Sequence, residues 1–140
     1  MSDRIVHWAV KYIGLPYEPG GRGPDKYDCW GLVRHVYRNE FCMDLPDLPG
    51  IVFTSAKSQT RVIEAGIDQE WVSILKPFDG CGVAMGQKEY MHHVGVYIDA
   101  DGGKILHANS GSGVVANTPA QLRMVGFKTI LYYRHQLWRM

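Results

Sequence analysis

The sequence predicts an α+β fold in which N-terminal helices pack on a central antiparallel sheet. Three observations predict it. The 140 residues are the length of one ordinary domain, a size that buries roughly two thirds of its unfolded surface around a single core. Apolar residues recur at helical intervals in two segments before position 42, and after Trp71 the pattern changes to short strand-like runs between glycine- and aspartate-rich turns. Helices followed by strands is the order of an α+β chain.

Taken in order, the first segment offers Ser2 as an N-cap, then Ile5, Trp8, Ala9, Tyr12 and Ile13 at three- and four-residue intervals, an amphipathic helix that ends near Gly14. GLPYEPGGRGP, from Gly14 to Pro24, holds three prolines and four glycines. That composition demands a loop. Asp28 can cap a second helix from Cys29 to about Phe41, with Trp30, Val33, Tyr37 and Phe41 in one stripe beside Leu32 and Val36. Residues 43–60, punctuated by Pro46 and Pro49, read as a connection, followed by a short helix around Thr60 to Ala65. Strands are expected at Val72–Leu75, Gly82–Met85, His92–Ile98, Lys104–Ala108, Gly113–Ala116 and Thr129–Tyr133. No internal repeat, low-complexity run or linker interrupts the chain, so 1–140 reads as a single domain.

Composition narrows the function classes. A hydrophobic share of 46%, 21% charged residues and a net charge of +1 belong to a globular protein rather than a disordered one. The 15 basic and 14 acidic residues interleave, without the one-sided basic patch that a nucleic acid partner requires. No stretch reaches the roughly 18 apolar residues of a membrane span. Asp3, Arg4 and Lys11 occupy the region where a signal peptide would be unbroken and apolar. The expectation is a protein without an export signal.

Three cysteines, Cys29, Cys42 and Cys81, form neither a disulfide framework nor a C-x-x-C pair. Cys29 sits where the first turn of a helix leaves backbone N–H groups unpaired, and that dipole end favours thiolate over thiol. A buried, inert cysteine is the competing reading. Cys42 and Cys81 are assigned to packing. MHHVGVYI, DADGG and KILHA read as a β-hairpin turning near residues 99–103. If Ile98 pairs with Lys104, His107 falls opposite Gly95 and diagonal to His93, which places both imidazoles on one face of the ribbon. His92 then points the other way, with Val94, Val96 and Ile98, as an edge or packing residue. A cysteine at a helix start and two imidazoles on one sheet face meet the nucleophile, base and orienting-group requirement of covalent acyl transfer.

Metal readings fare worse. Cys29, His93 and His107 are admissible zinc ligands but lack the short-range spacing of zinc motifs. The DADGG turn has Lys104 and Ser110 where a calcium loop needs glycine and glutamate. The reading calls for no metal and no cofactor.

These residues resemble the NlpC-type (NlpC/p-sixty) family of cysteine peptidases, which cleave peptide stems of bacterial cell wall, and the likeness covers most of the chain. YIGLPYEPGGRGPDKYDCWGLVRHVY is similar to the family's loop and nucleophile helix, HHVGVYI to its base-bearing strand, and KILHANSGSGVV to the strand of its third polar residue. The resemblance implies a papain-like fold, Cys29 as nucleophile, His93 as general base and then acid, and His107 as the group that orients His93. It implies a bond between D-glutamate and diaminopimelate as the target. Tyr17 matches a tyrosine near the oxyanion, although a loop aromatic covering the core explains it as well. Asp28 matches an aspartate that contacts the substrate's amino end, and its N-cap role explains it equally.

Two departures stand out. Trp30 replaces a small hydroxyl residue and can narrow the groove beside the nucleophile. The element before the base strand is blurred to PFDGCGVAM, and Asp79 receives no role. DCWGLVRHVY, LPDLPG and ILYYRH resemble members encoded by tailed phages and prophages. That likeness implies peptidoglycan stem peptides and phage tail proteins as partners. It also implies synthesis in the bacterial cytoplasm and location in the virion or release at lysis. Two alternatives stay open: a tail-tip assembly component in which the fold is structural, and a thiol acyltransferase or amidase of related fold.

Overall fold

A computed structural model describes residues 7–46, 67, 70–87 and 90–138. The expected Thr60–Ala65 helix and most of the connection before it lie outside the described residues. So do Ser2 and Ile5.

The described part of the first segment is not an α-helix. Trp8–Tyr12 forms a single 3-10 stretch, capped by the His7 ring, whose Nδ1 accepts the Ala9 N–H at 3.1 Å. The cause is anchoring at both ends. His7 and Trp8 bond Asp79 at 2.7 and 2.9 Å, while Gly14, at a φ of 96°, turns the chain so that its N–H reaches the Val114 carbonyl. Ala9 and Tyr12 are buried beneath.

Helix α1 spans Cys29–Phe41, as the apolar spacing predicts. Asp28 caps it, accepting the Gly31 N–H at 2.6 Å, and Cys42 closes it in the left-handed region at a φ of 55°. Leu32, Val33, Val36 and Tyr37 face the sheet, and the Tyr37 hydroxyl donates to the Gly80 carbonyl at 2.6 Å. Cys81 is buried, as expected of a packing residue, but Cys42 is exposed. Its place at the helix end, where the chain leaves the core, removes it from packing.

Among the described residues six strands follow: β1 (Trp71–Ile74), β2 (Gly82–Gln87), β3 (Tyr90–Ile98), β4 (Lys104–Asn109), β5 (Gly113–Asn117) and β6 (Thr129–His135). They form one antiparallel sheet in the order β1-β6-β2-β3-β4-β5. Alternation assigns its faces. Leu106 and Ala108 of β4 join the α1-side core, with Val96, Ile98 and Val114. Ile105 turns to a smaller cluster with Val83, Met85 and Leu122. That second face is covered by a short helix the sequence reading did not include, α2 (Pro119–Met124), which the Thr118/Gln121 capping box and Pro119 at its first turn initiate.

Candidate active site

Three parts of the chain build the site. The loop of residues 14–28 is fastened to β5 by Gly14 N–H to Val114 O at 2.9 Å and Val114 N–H to Leu15 O at 2.8 Å. It returns to the start of α1 through Asp28 N–H to Gly21 O at 3.0 Å. A Cβ on Gly31 would collide with the Gly21 carbonyl. The glycine two places after the cysteine is therefore what lets the loop lie against the first turn and set the height of Cys29.

The hairpin β3/β4 brings the imidazoles. Its register pairs Ile98 with Lys104, Tyr97 with Ile105 and Val96 with Leu106, as the sequence predicts. His93 Nε2 lies 3.0 Å from His107 Nδ1. Gly95 leaves the room for this, since a Cβ there would stand 3.2 Å from the His107 Cβ and 2.6 Å from the Leu106 carbonyl oxygen. His107, only 2% exposed, makes its other ring contact with Asn117 Oδ1 at 2.8 Å.

Tyr17, Cys29, His92, His93 and Phe127 meet, with Ala108–Ser110, around an open cleft of about 180 Å³. Phe127 stacks on the His93 ring, with centroids 5.3 Å apart and planes at 19°. His92 is where the parity argument fails. Met85 pairs with His93 but Gly86 with Met91, so a bulge leaves His92 as the extra residue of β3. Instead of following Val94 and Val96, it lines the cleft with its ring centroid 5.6 Å from that of Phe127.

Burial governs the electrostatics. It pushes the Cys29 thiol up to about 12, aided by the neighbouring Asp28 charge and opposed by backbone N–H groups of Val94 and Trp30 that face the sulfur. The helix dipole alone predicts a thiolate; removal of the sulfur from water overrides it and favours the thiol. Burial also takes His93 down to about 3, with His107 and His92 adding to the shift, and lowers His107, which the Asn117 hydrogen bond partly restores. Tyr17 is raised by burial and then by Cys29 and Asp28, and so keeps its phenolic proton.

Asp28 takes the N-cap place that the sequence offers for it, and Trp30 follows the cysteine in the first turn of α1. Asp28 is fully buried; one carboxylate oxygen caps α1 and the other accepts from Arg22 Nη1 at 2.7 Å. Trp30 donates its indole N–H to the Pro46 carbonyl at 3.2 Å and packs on the α1-side core. Arg22, Asn117 and Phe127 carry no role in the sequence reading, and His92 carries only that of an edge or packing residue. Of these, only Asn117 stood where an edge-strand polar residue next to a histidine strand invited attention.

A cysteine at a helix start, set beside an imidazole pair on an antiparallel sheet, is the layout of a papain-like α+β thiol hydrolase. The chain belongs to the NlpC/P60 family, whose model matches residues 14–129. It is 32% identical over 111 residues to the γ-DL-glutamyl hydrolase of Bacillus subtilis (strain 168), covering 79% of this chain and 24% of that protein. It is 54% identical over 33 residues to Protein P54 of Enterococcus faecium, covering 24% of this chain and 6% of that one. The chain thus spans a quarter or less of these curated relatives. Among solved structures, the NlpC/p60 domain of the peptidoglycan hydrolase SagA matches with a TM-score of 0.55 and 24% identity, covering 81% of this chain and 85% of that one. It has the same fold.

Proposed function

We propose that this chain is a cysteine endopeptidase that hydrolyses an amide of the D-glutamyl-diaminopimelate type in the peptidoglycan stem peptide. The observation that carries the reading is the meeting of Cys29 and His93 in one open cleft, with His107 bracing His93 from behind. The name of the Bacillus subtilis relative supports a glutamyl amide, and that of the SagA domain supports a wall substrate.

Chemistry starts from a neutral pair. As Sγ of Cys29 attacks the carbonyl carbon, its proton passes to the free ring nitrogen of His93. The N–H of Cys29 and the hydroxyl of Tyr17 donate to the oxyanion. The His93 imidazolium then gives its proton to the leaving amine, the C–N bond breaks and a thioester remains. Water, losing a proton to His93, attacks that thioester; the C–S bond breaks, the acid leaves, and Cys29 recovers its proton. Asp28 serves by holding the first turn of α1, and Trp30 by closing the region beside it.

The setting is a tailed phage or prophage, with delivery in the virion or release at lysis. DCWGLVRHVY and ILYYRH support it by their likeness to phage-encoded members. Purified protein incubated with defined stem peptides, followed by mass spectrometry, tests the chemistry. Cleavage by the wild type and by Cys42→Ser, and its loss in a folded Cys29→Ala, are expected; a fully active Cys29→Ala variant sinks the assignment. A phage carrying Cys29→Ala is expected to build intact tails and fail only at wall penetration. Loss of tail assembly would favour the structural alternative.

A further inference from the structure

We infer that Asn117 is a positioning residue of this site: its amide oxygen keeps the His107 proton on Nε2 and thereby decides which nitrogen of His93 is free to act. The inference rests on the Cys29–His93 reading above and adds a fourth member to it.

The sheet places the residue. His107 pairs with Val115 and Ile105 with Asn117 across β4 and β5, so Asn117 is the diagonal neighbour of His107 on the same face. Its Oδ1 stands 2.8 Å from His107 Nε2. A carbonyl oxygen only accepts, so the Nε2 atom must carry hydrogen. A neutral imidazole has one N–H, and His107 Nδ1 is therefore left with a lone pair.

The direction then propagates. His107 Nδ1 lies 3.0 Å from His93 Nε2, and with an acceptor on one side the hydrogen must belong to His93 Nε2. That leaves the lone pair of His93 on Nδ1, the nitrogen not engaged with His107. Reversed polarity disables the base. If the side chain at 117 donated instead of accepting, His107 would carry its proton on Nδ1 and donate it to His93 Nε2. The His93 proton would then sit on Nδ1, with no lone pair left to take the thiol proton. A residue two hydrogen bonds from the cleft sets the protonation pattern inside it.

Outer partners that fix the tautomer of a metal-bound histidine typically change activity about 10- to 100-fold when removed, and the same order is expected for a tautomer fixed here. The test uses full-length Asn117→Leu, which keeps bulk but removes the acceptor, and Asn117→Asp, which keeps the acceptor. Histidine tautomers are read by two-bond 1H–15N NMR, and kcat and KM on a stem peptide are measured in parallel. In the wild type both His107 and His93 are expected as Nε2–H forms. Asn117→Leu should lose the single His107 tautomer and lower kcat about 10- to 100-fold with KM nearly unchanged, and Asn117→Asp should recover the tautomer and most of kcat. A wild-type His107 protonated on Nδ1 overturns the inference. So does Asn117→Leu with native tautomers or native kcat, or Asn117→Asp that regains neither. Because the tautomers are read without substrate, failure of the peptidase reading would show as wild-type inactivity with the hydrogen-bond chain intact.

Discussion

Burial favours the neutral forms of both Cys29 and His93, and the same burial makes stability depend on pH. His93 falls from an ordinary 6.5 to about 3. Its contribution is complete above pH 6.5 and fades as the pH drops toward 3, because the unfolded chain binds the proton first. His107 and His35 are lowered too and act in the same direction. Cys29 rises from 9.0 to about 12, so its contribution is complete below pH 9 and is lost as pH rises toward 12; Cys81, pushed up to about 11 by burial, follows it. The melting temperature is therefore expected to be flat between about pH 6.5 and 9 and to fall on both sides. Calorimetry on His93→Gln should show a shallower decline between pH 6.5 and 4.5, the window above ordinary carboxylate titration. An unchanged acid limb in that variant would contradict the buried neutral imidazole. The thiol itself shows what a sequence window omits: the helix start is local and legible, whereas the burial that overrides its dipole exists only once the chain has folded around the sulfur.

At the level of elements, the first turn of α1 and the loop over it act as one part. Gly31 is the contact point, and Gly31→Ala puts a methyl group against the Gly21 carbonyl. Backbone cannot yield as a side chain can. We expect a loss of about 1–3 kcal/mol in urea unfolding, the usual size of overpacking, and a fall in kcat larger than any change in KM, since the shift displaces Cys29. A variant with native stability and kcat would dissociate the loop from the site. Legibility divides along the same line between local and distant causes. The hairpin register was readable from residues 98–104 because a tight turn fixes it. The bulge that swings His92 into the cleft was not, because it arises from pairing with β2 across the Met85/Gly86 step. Helix α2 carried its own signal in Thr118, Pro119 and Gln121, passed over because it sits inside a run of strands. The described part of the first segment departs for the opposite reason: its spacing is helical, but Asp79 at His7 and Trp8 and Val114 at Gly14 anchor residues 7–14 within too short a span for an α-helix.

Across the molecule, the site exists only when distant parts are docked. Asp79 joins the N-terminal segment to the sheet, accepting from His7, Trp8 and the Asp99 backbone N–H at 2.7, 2.9 and 2.7 Å. Burial raises its carboxyl, but the three donors outweigh that and hold it below the usual range. The loop bearing Tyr17 is zipped to β5 through Leu15 and Val114, α1 lies on β3 and β4, and Phe127 follows α2 to close over His93. Cys29, His93, His107 and Asn117 therefore come from three stretches that share one core on each face of a single sheet. None can leave without exposing the packing of another. Such coupling predicts a two-state transition: in urea, loss of far-UV circular dichroism, of tryptophan fluorescence and of the proposed peptide-cleaving activity should share one midpoint, with a slope in the ordinary range of roughly 1–3 kcal/mol/M. Tryptophan reports on the α1-side core, through Trp8, Trp30, Trp71 and Trp138, whereas activity reports on the cleft. An earlier activity midpoint would mean that the loop or α2 detaches while the sheet persists, and the chain would then be two cooperative units rather than one.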